Sequence, residues 1–288
     1  MSEPTVSVYL PTRNRADLLQ EAIESVLTQD FERFELIIVD DASTDDTPRL
    51  VAEYSARDVR VRSIRLPSKS GACAARNAGI EAARSPWCTG LDDDDLMLPH
   101  RLSLLLNAAG QTSAHALICS GYLLERNDKR RPVDCHAAVI TLNELLHRNI
   151  IGNQALFRRE HALEIGGFDI DMPASQDYDF WTRLLARFGT ARRLPEATYV
   201  FREHGHATAR ITKTEAAIAG ARRYTEKHRH LMSRAHLQTQ RLIHRYVAGE
   251  PLTLGLAATS VNAHNIGFVL RYAAQRWPLL SKVRDKLR

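Results

Sequence analysis

Long apolar runs are missing from this 288-residue chain. None approaches the roughly 18 to 20 residues that a spanning helix needs, which excludes a transmembrane protein. Cysteine is scarce too. Cys73, Cys88, Cys119 and Cys135 form no C-x-x-C pair. That argues against a zinc cage or a dense disulfide framework, and the four read as small apolar fillers in a reduced cytosol. Met1 to Pro4 pass straight into a strand-like run, so no secretory signal peptide is expected. There is no G-x-S-x-G, H-E-x-x-H or Walker A run, and Gly71 to Gly79 do not make G-x-G-x-x-G. No recognised nucleic-acid module is visible, so nucleic acid is not expected as a partner. What is present is ordinary for a globular protein, 44% hydrophobic and 25% charged residues. The length suits one large domain with an appendage, or two modest ones.

The net charge of +5 hides an asymmetry. Residues 201–288 hold 16 Lys and Arg against 5 Asp and Glu, whereas the first 200 residues hold 23 against 29. An acidic body with a basic tail points to an interaction segment at the C-terminus, suited to anionic lipid or a negatively charged substrate.

The first hundred residues alternate strand and helix. Val6–Leu10, Glu35–Val39, Val61–Leu66 and Trp87–Leu91 read as strands. Between them, Asp17–Gln29 has helical spacing, Asp45 and Asp46 can cap a second helix with Pro48 in its first turn, and Ala74–Ala83 reads as a third. This is the pattern of βαβ units and a mostly parallel sheet, whose ligands bind at the carboxyl ends of the strands. Pro11–Arg15, Asp40–Asp45 and Asp92–Asp95 all fall at such ends. Further on, Leu117–Glu125, Asn153–Arg158 and Ala197–Arg202 read as strands, and Leu142–His147, Glu160–Ile165 and Gln176–Phe188 as helices. Lys213–Tyr246 reads as one long basic helical stretch, and Leu252–Leu287 as helical again around Pro278.

The acid run carries the most chemistry. Four consecutive carboxylates repel one another unless they are solvated or neutralised. A bound Mg²⁺ or Mn²⁺ removes that penalty with hard oxygen ligands. The alternative is a solvated helix N-terminus ahead of Leu96, where carboxylates are also favoured. Its place at a strand's carboxyl end tilts the reading toward metal.

Seven segments, in order, carry a resemblance to a known family: Pro11-Thr12-Arg13-Asn14; Val39-Asp40-Asp41 through Asp45; Gly71 through Arg76-Asn77-Ala78-Gly79-Ile80; Leu91-Asp92-Asp93-Asp94-Asp95 with Pro99; Gly166-Gly167-Phe168-Asp169; Gln176-Asp177-Tyr178-Asp179-Phe180-Trp181-Thr182-Arg183; and Arg202-Glu203-His204. The sequence resembles the inverting, GT-A type glycosyltransferases of family 2, over about residues 5–206. The resemblance implies an α/β GT-A fold, with a mixed, mostly parallel sheet flanked by helices. It implies a nucleotide-diphosphate sugar as donor and a glycan or lipid-linked hydroxyl as acceptor.

By that likeness Pro11 and Arg13 line the nucleoside pocket, although family members often carry an aromatic residue where this chain has Arg13. Asp41 matches the carboxylate that accepts from the base, which favours a UDP- or dTDP-sugar. Arg76 matches a basic residue near the phosphates. The family's D-x-D pattern falls on Asp92, Asp93 and Asp94. Asp94 is expected on the metal, Asp92 on the sugar or ribose hydroxyls, Asp93 as a bystander within the nucleotide-sugar site, and Asp95 as a cap of the next helix. Asp177 matches the base of a single displacement with inversion. Members usually carry Glu-Asp where this chain has Gln176-Asp177, and losing the neighbouring acid should lower the base's pKa slightly. Asp179 is expected to face solvent or cap, Trp181 to sit in the core and Arg183 to form a structural ion pair. His204 matches a histidine that reaches the metal or pyrophosphate.

The expected organisation is a catalytic domain over 1–206 and a basic helical extension over 207–288. Phe268 to Leu270, Tyr272, Trp277 and Leu279-Leu280 stand near basic residues there, as in a helix lying on an anionic membrane surface; the alternative is an appendage packed on the catalytic domain or on a second copy. A cytoplasmic protein, peripheral on the inner face of the membrane, would fit cell-surface polysaccharide synthesis. Two rivals stand against the transferase. A sugar-phosphate nucleotidyltransferase should show glycine in its N-terminal phosphate loop, and Pro11–Arg15 has none. A non-catalytic carbohydrate-binding relative should have lost Asp94 or Asp177, and both are present. Donor sugar, linkage and oligomeric state have no signature in the sequence.

Overall fold

The computed structural model describes residues 3–111, 114–203, 214–262 and 265–274. β1 (Val6–Thr12) and β2 (Phe34–Asp40) are buried along almost their whole length. Both faces are covered, so they read as continuous apolar runs and not as alternating ones. α1 (Ala16–Leu27) turns Leu19, Ala22, Ile23 and Val26 inward. α2 (Thr47–Arg57) begins where Asp45 Oδ1 accepts the Thr47 amide at 3.0 Å; Asp46 sits at the N-cap but makes no capping bond through its side chain. β3 (Val61–Arg65), α3 (Ala72–Ala82) and β4 (Trp87–Gly90) complete the alternation. α3 lies so close on β1 that a Cβ at Gly79 would meet Tyr9 Cβ at 2.7 Å.

The segment after β4 overturns one expectation. No helix follows the acid run. β5 (Leu96–Met97) comes next, and α4 (Arg101–Gly110) starts later with His100 at its N-cap. Asp95 therefore caps nothing, and the solvated helix N-terminus is ruled out. β6 (His115–Arg126) then forms a hairpin with β7 (Lys129–Val133) through Asn127 and Asp128, both at positive φ. Such tight turns favour these residues. The sequence hid β7 because Lys129-Arg130-Arg131-Pro132 is polar, as a sheet edge can be. β8 (Ala138–Ile140), α5 (Leu142–Leu145), β9 (Leu156–Arg158), α6 (Arg159–Glu164), α7 (Gln176–Phe188) and β10 (Thr190–Arg202) follow.

Among the described residues the sheet has ten strands in the order β3-β2-β1-β4-β9-β6-β10-β5, with β7 on β6 and β8 on β10. β1, β2, β3 and β4 are parallel, as are β6 and β10, while β9 runs antiparallel between β4 and β6. The chain leaves β1 toward β2 on one side and later returns to β1's other side as β4. That reversal makes a topological switch point between β1 and β4, and open α/β sheets bind ligands at the carboxyl ends of such strands.

The chain divides into two compact units, residues 1–141, 151–170 and 177–209 forming one, and 142–150, 171–176 and 210–288 the other. The whole sheet belongs to the first. The second holds α5, α8 (Thr214–Lys227), α9 (Arg234–Val247), α10 (Leu254–Ser260) and α11 (Ile266–Ala274). The single helix expected over Lys213–Tyr246 is thus two. Met232 and Ser233 turn extended, and Ser233 and His236 form a reciprocal capping box that starts α9 afresh. Leu242, Leu252, Val269, Tyr272 and Ala273 make a small core here. Phe268 packs edge-on against Tyr246 and lies beside Tyr272. Val269 and Tyr272, two of the apolar side chains offered to a membrane, are buried in this internal packing, and Phe268 is packed against it. Trp277 to Leu280 and Arg284 to Arg288 lie outside the described residues. Among the described residues, no helix is long and apolar enough to cross a membrane.

Candidate active site

The carboxyl ends of β1 and β2 are laced together. The Asn14 amide donates to Ser43 Oγ at 3.0 Å, and Asn14 Oδ1 accepts from the Thr44 amide at 2.8 Å, with Asn14 itself left-handed at φ 52°. Asparagine tolerates that conformation better than most residues. Pro11 is the next-to-last residue of β1 and Arg13 follows the strand; Arg13 Nε is buried without a hydrogen-bond partner. Asp40 accepts from the Ser43 amide at 2.8 Å and pairs with Arg65 at 3.1 Å. Asp41 accepts from the amides of Ser70 (2.6 Å) and Gly71 (2.9 Å), bracing the loop that enters α3. Asp41 is itself buried, so these two amides fix its carboxylate in place.

The four acids do not converge. Asp92 pairs with Arg76 at 2.9 Å and Asp94 with Arg15 at 3.1 Å. Asp93 and Asp95 turn into the protein. Asp93 accepts from Thr12 Oγ1 at 2.8 Å, and Asp95 from Tyr199 Oη at 2.7 Å and the Arg202 amide at 2.9 Å. Burial pushes the Asp93 carboxyl up to about 7, with Asp94 adding to it, and burial together with Asp92 holds Asp95 well above the usual carboxylate range. Repulsion along the run is thus relieved by two arginines and by protonation pressure on the inner pair. Asp95, expected as a helix cap, is a buried tie between this loop and β10.

Among the described residues, no group of three or more His, Cys, Asp or Glu is arranged to hold a metal ion. Mg²⁺ usually takes only one or two protein carboxylates and completes its shell with water and substrate phosphates. The part-exposed Asp94 and Asp92 offer hard oxygen donors of that kind, so the residues present fit a divalent ion that arrives with a diphosphate. His204 lies outside the described residues.

Arg76 centres the site. Its side chain is only 14% exposed and lies over the Phe168 ring, 5.4 Å from the centroid. Burial disfavours its charge, yet the adjacent Asp92 carboxylate holds its pKa above the ordinary value. Asp92 Oδ1 also accepts from Gln154 Nε2 at 3.2 Å, and Gln154 Oε1 accepts from Tyr9 Oη at 3.3 Å. A Cβ at Gly90 would stand 2.2 Å from that Gln154 oxygen, so the glycine makes room for the network. Asp177, near the start of α7, feels the same charges. Burial pushes its carboxyl up to about 6, the neighbouring Arg76 opposes the rise and Asp92 adds to it. Gln176 spares it a repulsive acid next door, but burial outweighs that saving. The arrangement holds a partly buried carboxylate, with a pKa close to neutral, beside an arginine and a second carboxylate. This is the tuning a general base requires.

The remaining motif residues place Asp177. Asp179, expected at the surface, is fully buried and paired with Arg183 at 2.8 Å. Arg183 also donates to the carbonyls of Ile165 (2.8 Å) and Gly167 (2.7 Å). Trp181 is buried and donates to the Gly152 carbonyl at 2.9 Å. Asn77 and Phe168 exchange two hydrogen bonds, at 2.7 and 2.8 Å, tying α3 to the Gly166-Gly167 turn. Gly167 has φ 69°, and a Cβ there would stand 2.5 Å from Asn77 Oδ1. Gly167→Ala is therefore expected to cost more than about 1 kcal/mol of stability, read as a lowered urea midpoint.

Residues 7–166 match the model of Glycosyl transferase family 2, and residues 87–280 that of Glycosyl transferase family group 2. The chain belongs to glycosyltransferase family 2. WcaA of Escherichia coli, named as a colanic acid biosynthesis glycosyl transferase, is 34% identical over 241 residues, covering 81% of this chain and 85% of WcaA. Two solved structures share the fold at low identity. TarS 1–349 of S. aureus in complex with UDP-GlcNAc aligns with TM-score 0.67 and 19% identity, over 98% of this chain and 86% of that one. The mannosyltransferase PcManGT of Pyrobaculum calidifontis, in complex with GDP-Man and Mn²⁺, aligns with TM-score 0.63 and 20% identity, over 99% and 84%. The fold is GT-A, and this family 2 member is a glycosyltransferase.

Several residues that shape the site of this family 2 enzyme carry no sequence signal. Tyr9 sits in an apolar strand, Arg15 in a polar loop and Gln154 in a stretch that reads as a strand. Tyr199 looks like one more aromatic in β10. Arg101, fully buried at the start of α4, looks like a surface helix residue. The cysteines hold one correction: Cys73, Cys88 and Cys119 are buried, but Cys135 is exposed.

Proposed function

We propose that this glycosyltransferase moves a sugar from a nucleotide-diphosphate donor, a UDP- or dTDP-sugar, to a hydroxyl of a glycan or lipid-linked acceptor in cell-surface polysaccharide synthesis, with inversion. The observation that carries the reading is the Arg76–Asp92 pair just past the carboxyl end of β4, with the Asp177 carboxyl near enough to feel both charges. Asp177 takes the proton of the acceptor hydroxyl as its oxygen attacks the anomeric carbon. The bond from that carbon to the diphosphate oxygen breaks on the opposite face, and the nucleoside diphosphate leaves with the electron pair. Arg76 offsets the charge on the leaving group and, with Gln154, holds Asp92 toward the sugar hydroxyls. Pro11, Arg13 and Asp41 line the nucleoside side, and Asp93 stiffens the floor through Thr12. Asp94, with His204, would hold Mn²⁺ or Mg²⁺, which supplies positive charge to the diphosphate when bound. WcaA's name supports the polysaccharide setting, and the nucleotide-sugar complexes of TarS and PcManGT support the donor class.

We assign catalysis to residues 1–206 and to 207–288 a basic helical extension that meets an anionic membrane surface or a partner; residues 142–150 and 171–176 fold with that extension. The test of the donor site is thermal stability with UDP, dTDP, GDP and CDP, each with and without Mn²⁺. A ligand that binds only the folded state raises the melting temperature by mass action, by about 2.7 kcal/mol of stability at a hundredfold excess over Kd. A shift with UDP or dTDP that needs Mn²⁺ is the expected result. No shift with any diphosphate would sink the donor assignment and favour the non-catalytic relative.

A further inference from the structure

Arg101 is wholly buried, and no carboxylate among the described residues pairs with it. Neutral oxygens hold it: Ser120 Oγ at 3.1 Å, Thr198 Oγ1 at 2.8 Å and the Gln154 carbonyl at 3.2 Å. The Tyr199 ring lies 5.1 Å from its guanidinium carbon, and its Nε has no partner. Burying a cation without a counter-ion is costly. This one forms the floor of a pocket of about 110 Å³ whose walls include Ser120, Tyr122, Asn153, Gln154, Tyr199 and Phe201, with no acidic side chain among them. Two of these walls also belong to the reacting site. Gln154 holds Asp92, and Tyr199 holds Asp95.

We propose that this pocket is an acceptor subsite for a sugar bearing a carboxylate, with Arg101 supplying the counter-charge. The proposal rests on the reading that places the transferred sugar at Asp92. Tyr122 and Phe201, packed edge to face at 6.4 Å, give an apolar wall for a sugar ring. Arg101 is sealed from solvent, so the carboxylate meets the Asn153 side chain at the pocket surface and feels the charge through a low-dielectric floor. One carboxylate balances one guanidinium. A phosphate dianion would leave net negative charge in a closed site, which favours the carboxylate.

The test is binding to the full chain, followed by saturation-transfer NMR at fixed ionic strength. The probes are methyl β-D-glucuronide and methyl β-D-glucoside, which differ only in the carboxylate, with inorganic phosphate as competitor. The glucuronide is expected to bind about tenfold more tightly, the order of one charge–charge attraction at reduced dielectric. The preference should vanish in Arg101→Met and persist in Arg101→Lys. If Arg101→Met fails to fold, Asn153→Asp, which sets an acid at the pocket surface, should reverse the preference. Equal binding of the two sugars, a preference that survives Asn153→Asp, or displacement of the glucuronide by equimolar phosphate would overturn the proposal. The nucleotide-induced shift of the wild type, measured alongside, reports on the donor reading alone.

Discussion

Asp177→Asn should abolish transfer while leaving the protein at least as stable as the wild type at neutral pH. General-base catalysis contributes typically 10² to 10⁴-fold, so a fall in kcat of about 10³-fold is expected, with the nucleotide shift retained. The stability half follows from linkage. The folded-state pKa of Asp177 is raised to about 6, above the roughly 3.9 of an unfolded aspartate. The folded protein therefore holds that proton more tightly than the unfolded chain does. This contribution to stability is fully present below about pH 4 and is lost as pH rises through 6. Asparagine is neutral throughout, so the variant should not suffer that loss, and its melting temperature should draw level with or pass the wild type's as pH rises from 4 to 7. The same pKa sets the rate profile. The base works only as carboxylate, so kcat/KM should fall about tenfold per pH unit below 6. An inactive variant that is also much less stable at pH 7 would make Asp177 a structural residue.

Asp94→Ala should produce the second large loss, and one of a different character. Asp94 is 27% exposed and its partner Arg15 is 14% exposed. Breaking such a near-surface pair costs about 1 kcal/mol or less, so the fold should survive nearly unchanged. Activity should fall by about 10² to 10³-fold, the scale of losing one preorganised charge at a developing anion. The Mn²⁺-dependent nucleotide shift should disappear with it. Asp92→Ala is the informative contrast. It removes the carboxylate that pairs with Arg76, and breaking a buried pair costs about 3 kcal/mol or more. That variant should lose stability and activity together. If Asp94→Ala keeps both its rate and its metal-dependent shift, Asp94 is not a metal ligand.

The sequence carried the βα alternation because β1 and β2 bury both faces and α1 buries one. Burial of those kinds leaves period and composition behind. The acid run was visible for the same reason, since four adjacent carboxylates are improbable without a purpose. Its internal division was not visible. Asp92 and Asp94 pair with arginines, whereas Asp93 and Asp95 turn inward, because the acids lie in a tight turn ahead of β5, closed by the Asp95 amide on the Asp92 carbonyl at 3.1 Å, where a helix start was expected. The reading of Asp179 failed for a related reason. Its partner Arg183 is one helical turn away and was in view, but the carbonyls of Ile165 and Gly167 that draw the pair inward come from a distant turn.

Local periodicity and strand-end position determined by themselves an α/β sheet with acids at the carboxyl ends of its strands, and the order of the motifs carried the family resemblance that offers Asp177 as the base. Those features are written in neighbouring residues. Tertiary structure alone decided that burial lifts Asp177 toward neutrality, that Gln154 and Tyr9 brace Asp92, that two glycines clear space for Asn77 and Gln154, and that Arg101 lies uncompensated beneath a pocket. Each of these depends on residues tens of positions apart meeting within a few ångströms, and desolvation and charge coupling are properties of that meeting, not of any one segment.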